Sequence, residues 1–169
     1  MTDTAQSSKF FGERRTVEQV EEASDLAPKF NEHGLIPCIT TDNASGEVLM
    51  LGYMNAEALE KTIATGEAHY YSRSREAVWH KGATSGLVQN VEQMLVDDDQ
   101  DAIWLRVKVQ GNGASCHVGY RSCFYRDMPT GQAANESIGE NGLSLTFTET
   151  EKVFDPKAVY GDAPNPTKL

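Results

Sequence analysis

The sequence predicts a compact α+β fold, mostly antiparallel β-strands with one main helix. Three observations carry this. Apolar and polar residues alternate with a period of two, best over Ala102–Val109, where Ile103, Leu105, Val107 and Val109 oppose Arg106 and Lys108. One stretch combines helical spacing with end signals: Asn55 as N-cap, Glu57 and Glu60 early, Leu59 and Ile63 four apart, and Gly66 to close it. The 169 residues are 39% hydrophobic and 24% charged, which suits one globular domain with an ordinary core.

Taken in order, residues 1–31 carry no clear core pattern, although Thr16 to Ala23 suits a short helix behind a Thr cap. Leu35–Thr41 reads as a strand. Asp42-Asn43-Ala44-Ser45-Gly46 is a turn cluster, so Val48–Tyr53 completes a hairpin. The Asn55–Gly66 helix follows. His69-Tyr70-Tyr71-Ser72 is β-like, and Leu87–Val96 alternates well enough for a long strand before Ala102–Val109 repeats the pattern. Gly111-Asn112-Gly113 is a turn, and His117–Tyr125 is expected to be a last core strand. Beyond Arg126 the chain turns polar, with Leu143–Phe147 and Val153-Phe154 offering a strand and some packing. Gly161–Leu169 reads as a loose tail.

Composition excludes several classes. The longest apolar runs fall short of the roughly 18 residues of a membrane span. Met1–Ser8 has no basic start and no apolar stretch, so an export signal is not expected and the cytoplasm is the expected location. Three cysteines there argue against a disulfide framework, and Cys38, inside an apolar run, reads as a small buried hydrophobe. A net charge of −10 argues against non-specific nucleic-acid binding but leaves room for a small anionic substrate held by a local basic patch.

Three clusters carry chemistry. In an extended segment Asp97, Asp99 and Asp101 point to one side and Asp98 to the other. Three converging carboxylates repel unless a cation lies between them, and Mg²⁺ suits such oxygen donors. Spacing alone leaves a solvated acidic turn as an equal reading, and an EF-hand fails because Ala102 and Lys108 stand where Gly and Glu belong. Cys116 and Cys123, with His117 adjacent, offer two thiolates and a nitrogen. With one further ligand they would leave a zinc position open to water, although for the pair taken alone two buried thiols beside a satisfied histidine are the slightly favoured reading. Arg73, Arg75, His80 and Lys81 form the densest basic stretch. Ser72, Ser74, Thr84 and Ser85 add hydroxyls to it, and Gly82 and Gly86 allow close backbone approach. That mixture suits phosphate capture, against the plain alternative of a charged exposed loop with Trp79 in the core.

With these blocks together the sequence resembles the phosphoribosyl-AMP cyclohydrolases of histidine biosynthesis. The resemblance rests on Met50-Leu51-Gly52-Tyr53-Met54-Asn55, Tyr70-Tyr71-Ser72-Arg73-Ser74-Arg75, Trp79-His80-Lys81-Gly82, Thr84-Ser85-Gly86, the acidic cluster, and Ser115-Cys116-His117 with Arg121–Arg126. It covers residues 34–126 and leaves an N-terminal extension, 1–33, and a C-terminal extension, 127–169.

The resemblance implies hydrolytic opening of the adenine ring of N1-(5-phosphoribosyl)-AMP between N1 and C6, and a homodimer with sites at the subunit interface. It also implies a β-grasp-like roll, Mg²⁺ at Asp97, Asp99 and Asp101, and Zn²⁺ at Cys116 and Cys123. The family pattern carries a cysteine where this chain has Asp98, which makes Asp98 a possible zinc ligand supplied by the partner subunit. His117 is the expected proton carrier and His80 the second candidate. Ser72, Arg73, Ser74, Arg75, Trp79, Lys81, Thr84 and Ser85 are expected to bind substrate. A non-catalytic metal-binding protein would have no use for the basic Ser72–Gly86 stretch. A zinc hydrolase acting on another phosphorylated purine would use the same groups.

Overall fold

A computed structural model describes residues 8–169. The export-signal reading of Met1–Ser8 therefore falls, but for Ser8, outside the described residues. The chain forms an α+β fold made mostly of short and medium strands: α1 (Val17–Glu22), β1 (Ile36–Asp42), β2 (Val48–Met54), α2 (Ala56–Thr65), β3 (His69–Ser72), β4 (Ala77–His80), β5 (Gln89–Val96) and β6 (Ile103–Val109). A C-terminal region of small elements follows: β7 (Arg126–Asp127), α3 (Gln132–Glu136), β8 (Ile138–Gly139), β9 (Gly142–Leu143), β10 (Thr146–Phe147) and α4 (Pro156–Tyr160). Among the described residues, no helix is long and apolar enough to cross a membrane.

The main sheet has the order β2-β1-β6-β5. The β1–β2 and β5–β6 pairs are antiparallel hairpins, while β1 and β6 run parallel at the centre. Alternation decides the two faces. Ile36, Cys38, Met54, Ile103, Leu105 and Val107 point inward and are buried. Cross-strand neighbours Ile39, Leu51 and Trp104 point outward and remain 41%, 50% and 41% exposed. Helix α2 and the β3–β4 hairpin cover the inner face.

The end signals of α2 act as read from the sequence. The Asn55 side chain accepts the Ala58 N–H, and Gly66, left-handed at φ 69°, closes the helix with its N–H on the Thr62 carbonyl. Leu59 is fully buried against the sheet. Tyr70 enters the core from β3, and Gly52 makes room for it, since a Cβ there would lie 2.7 Å from the Tyr70 ring. The buried Tyr70 hydroxyl pairs with Thr40 Oγ1 and donates to Gln89 Oε1, both at 2.7 Å. Both partners are fully buried, so this polar thread fixes how the hairpin seats on the sheet.

Two expectations change. Residues 8–31 are core-bound: Val20 and Ala27 are buried, and Phe11 and Phe30 pack against the core and each other. Single apolar residues on an irregular segment leave no periodic signal. The predicted strand His117–Tyr125 is instead a tight loop. Backbone groups within it bond to one another, Ser115 N–H to Arg121 O, Cys116 N–H to Tyr120 O and Gly119 N–H to Cys116 O, which closes the chain on itself in place of an extended ladder. Gly119 permits this with φ 104°, a conformation an L side chain resists.

Candidate active site

The acidic turn joins β5 to β6. Donor oxygens of Asp97, Asp99 and Asp101 lie within 4.8 Å of one another. Asp97 Oδ1 also accepts the N–H groups of Asp101 and Ala102, at 2.9 and 3.0 Å, which curls the turn around it. Partial desolvation, reinforced by the charges of Asp99 and Asp97, raises the pKa of Asp101 above its ordinary 3.8. Lys29 Nζ, 3.9 Å from Asp99 and 3.8 Å from Asp101, offsets only part of that repulsion.

A residue overlooked in the sequence holds this turn. Gln100 adopts φ 59°, which a non-glycine residue accepts only when its surroundings compel it. Its buried side chain accepts from Ala27 N–H at 2.7 Å and donates to Val20 O at 2.9 Å and Asp25 O at 3.1 Å. Its carbonyl accepts from Lys29 N–H, and Arg14 donates to Asp99 O at 2.8 Å. A glutamine amid four aspartates gives no sequence signal of burial.

The cysteines come together through the tight loop. Cys116 is buried and Cys123 lies at the surface, with the two thiols close enough that each dominates the other's ionisation. Interaction with the Cys123 thiol is the main reason Cys116 is pulled down to about 6, helped by the nearby Lys81 ammonium, while the same interaction raises Cys123. Cys38 is apart from them, its thiol pushed up to about 12 by burial. His117 has its pKa lowered by burial and by the Lys81 charge, against a smaller opposing influence of Asn165. His117 Nε2 is buried with no partner among the described residues, in the loop that also carries the two thiols. The thiol pair fits zinc, and the three clustered carboxylates fit a hard divalent cation.

The basic stretch divides. Arg73 lies 4.2 Å over the Tyr53 ring, and Arg75 stacks at 5.4 Å on Trp79 while its Nε donates to Ser72 Oγ at 3.0 Å. These two arginines, Ser74 and Thr84 stay exposed, with Ser72, Trp79 and Ser85 partly so. Lys81 instead is buried, and its Nζ donates to Ser115 O at 2.8 Å, one residue from Cys116. Gly82 lets the chain turn there: at φ 91°, an added Cβ would lie 2.3 Å from the Val88 nitrogen. His80 stacks on His69 with ring centres 4.6 Å apart, and its Nε2 is 2.8 Å from a Glu67 oxygen without hydrogen-bond alignment.

The two donor sets stand at opposite ends of the sheet. Gln89, at the start of β5, donates to Ser115 Oγ at 3.1 Å, whereas the acidic turn follows Val96 at the strand's other end. Seven residue steps of strand put them about 20 Å apart. Asp98, exposed in the acidic turn, is therefore not brought to Cys116 and Cys123 within one chain.

Fold and site together define a small α+β enzyme domain carrying two sets of metal-type donors and an open, arginine-bearing hairpin. Residues 50–125 match the family model described as phosphoribosyl-AMP cyclohydrolase. A protein of that name from Rhodopseudomonas palustris (strain HaA2) is 52% identical over 145 residues, 86% of this chain and 93% of the relative. Another, from Bradyrhizobium sp. (strain ORS 278), is 54% identical over 79% of this chain and 95% of its own length. A third, from Rhodopseudomonas palustris (strain BisB5), is 48% identical over 95% of this chain and 99% of its own. The chain belongs to the phosphoribosyl-AMP cyclohydrolase family and is a hydrolase.

Proposed function

We propose that this protein opens the adenine ring of N1-(5-phosphoribosyl)-AMP by hydrolysis at N1–C6, a step of histidine biosynthesis carried out in the cytoplasm. One observation supports the assignment most: a single tight loop carries Cys116, Cys123 and His117, whose Nε2 is buried without a partner among the described residues, in a chain about half identical to relatives bearing that name.

Cys116 and Cys123 would hold zinc, and Asp97, Asp99 and Asp101 would hold Mg²⁺. Bound zinc would supply Lewis acidity and lower the pKa of a water towards neutrality. The chain's own groups account for the rest. Arg73 and Arg75 present guanidinium groups to phosphate, with hydroxyls from Ser72, Ser74, Thr84 and Ser85 beside them. Trp79, already stacked by Arg75, borders that surface. The water oxygen adds at C6, the N1–C6 bond breaks, and N1 takes up a proton, so substrate gains one water. His117 is the proton carrier, since burial and Lys81 keep its imidazole neutral near pH 7 and its Nε2 is uncommitted. His80 is second choice because its ring stacks on His69 and its Nε2 faces the Glu67 carboxylate at 2.8 Å. Lys81 holds Ser115 and sets positive charge beside the thiols.

A homodimer completes the reading. The exposed stripe of Ile39, Leu51 and Trp104 offers an apolar face for a second copy. A partner could bring its acidic turn, and Asp98 with it, to these cysteines. The order β2-β1-β6-β5 with a parallel central pair supports a β-grasp-like roll. The decisive experiment incubates protein loaded with Zn²⁺ and Mg²⁺ with phosphoribosyl-AMP and follows product mass. Gain of one water with ring opening is expected, and unchanged substrate would refute the assignment.

A further inference from the structure

The C-terminal region beyond the family match is folded against the cysteine loop at several points. Thr148 N–H donates to Tyr125 O at 2.9 Å, and Thr146 and Phe147 pair with Asp127 and Arg126. Phe147 packs on Tyr120 and Tyr125, whose rings stack at 4.0 Å. Val153 N–H donates to Gly119 O at 2.8 Å, and Phe154 O sits so close to Gly119 that an added Cβ would lie 2.5 Å away. At the centre of this strap is Glu149. Its Oε2 accepts Arg121 N–H at 2.8 Å and its Oε1 accepts Ser122 N–H at 2.9 Å, a two-point grip on the residues just before Cys123.

Two further anchors, on β2, depend on Ser122 and its neighbour Cys123. Ser122 Oγ donates to Val48 O at 2.7 Å, and Cys123 N–H donates to Leu49 O at 2.7 Å. Releasing Glu149 leaves two adjacent N–H groups of a partly buried loop without an acceptor and frees the segment that sets the Cys116–Cys123 spacing. Both Glu149 oxygens are engaged by backbone donors, so its role is indirect.

We propose that Glu149 is a positioning residue for the thiol pair: it clamps the Arg121–Ser122 backbone so that Cys116 and Cys123 are preset for a metal. This rests on the reading that these cysteines hold zinc. The C-terminal region thereby acquires a role in the active site.

The test uses the full-length protein with reduced thiols. Zinc affinity is measured by competition with a chromogenic chelator, amide hydrogen exchange over Ser115–Cys123 is measured on the metal-free form, and overall stability by denaturant. Glu149→Ala should weaken zinc binding about 10- to 100-fold, the usual cost of losing a group that orients a ligand. It should also deprotect the Arg121 and Ser122 amides. Glu149→Gln keeps one acceptor oxygen and should fall between; it also serves if the alanine variant does not fold. Glu151→Ala, at a neighbouring exposed position, should match wild type. A Glu149→Gln or Glu149→Ala protein that folds and binds zinc as wild type does overturns the inference, even if its stability has fallen. Wild type that binds no zinc overturns the underlying metal reading instead.

Discussion

The acidic turn and the cysteine loop are two short connections flanking the same strand, β6, and they solve opposite problems. The turn is open to water, keeps side chains of Asp99 and Asp101 42% and 46% exposed, and gathers like charges that repel. The loop draws its donors together, with one thiol buried and a buried ammonium nearby to favour the thiolate. Each is held by an extension from the opposite terminus, the turn through Gln100 to residues 20–29, the loop through Glu149. A cationic ligand relieves repulsion in the first. In the second, the protein has already arranged the charge before any metal arrives.

The largest effects should come from the loop. Cys116→Ser is expected to abolish zinc binding and reduce turnover to background while Mg²⁺ binding at the turn persists, measured by metal titration and product formation. Zinc retention in that variant would show that the loop is not the zinc site. The separation of about 20 Å along the sheet then permits a subtler break. If Asp98 serves the partner's cysteines, Cys116→Ser and Asp98→Ala proteins, each impaired, should complement on mixing. Random reassortment of a two-fold dimer leaves one intact site in half the dimers, or about a quarter of wild-type activity. Absence of recovery despite verified subunit exchange would remove Asp98 from the zinc site.

Gln100→Ala should sharpen the contrast from the other side. It strands the Ala27 N–H and removes two further bonds in a buried setting, so a loss of about 1–3 kcal/mol in unfolding free energy is expected. Mg²⁺ affinity should fall with it and zinc affinity should not, the reverse of Glu149→Ala. Equal loss of both metals would mean that the two regions are not independently scaffolded.

These contrasts mark how much was legible in the sequence. The helix at Ala56–Thr65 and the strands Ile36–Asp42, Val48–Met54 and Ile103–Val109 were readable because capping residues and period-two burial are local signals. The parallel pairing of β1 with β6 was not, since it joins residues some 65 positions apart and leaves no local trace. The donor residues were visible as types: carboxylates, thiols and a histidine. Their supports were not. Gln100, Gln89 and Glu149 are ordinary polar residues whose importance lies in what they bond to, and Lys81 looks like any surface cation until its burial beside Ser115 is seen. The loop at Cys116–Cys123 misled because Tyr120, Phe124 and Tyr125 mimic a strand, while Gly119 turns the chain back on itself.

The smallest effect is also the one that isolates the turn's electrostatics. Asp101 has a folded pKa raised above 3.8, first by desolvation and then by its acidic neighbours. The sign follows. A carboxylate whose pKa is raised on folding opposes stability when ionised, and that opposition fades as pH falls through the raised value, where the folded state binds the proton first. A divalent cation relieves the same repulsion, so proton and cation compete. The rise in melting temperature on adding millimolar Mg²⁺ should therefore be largest near neutral pH and shrink as pH falls towards the carboxylate range, beginning above the pH at which an ordinary aspartate titrates. Asp101→Asn should flatten that dependence and leave the response to zinc unchanged. A Mg²⁺ effect independent of pH, or one untouched by Asp101→Asn, would mean that the carboxylates do not act as a unit.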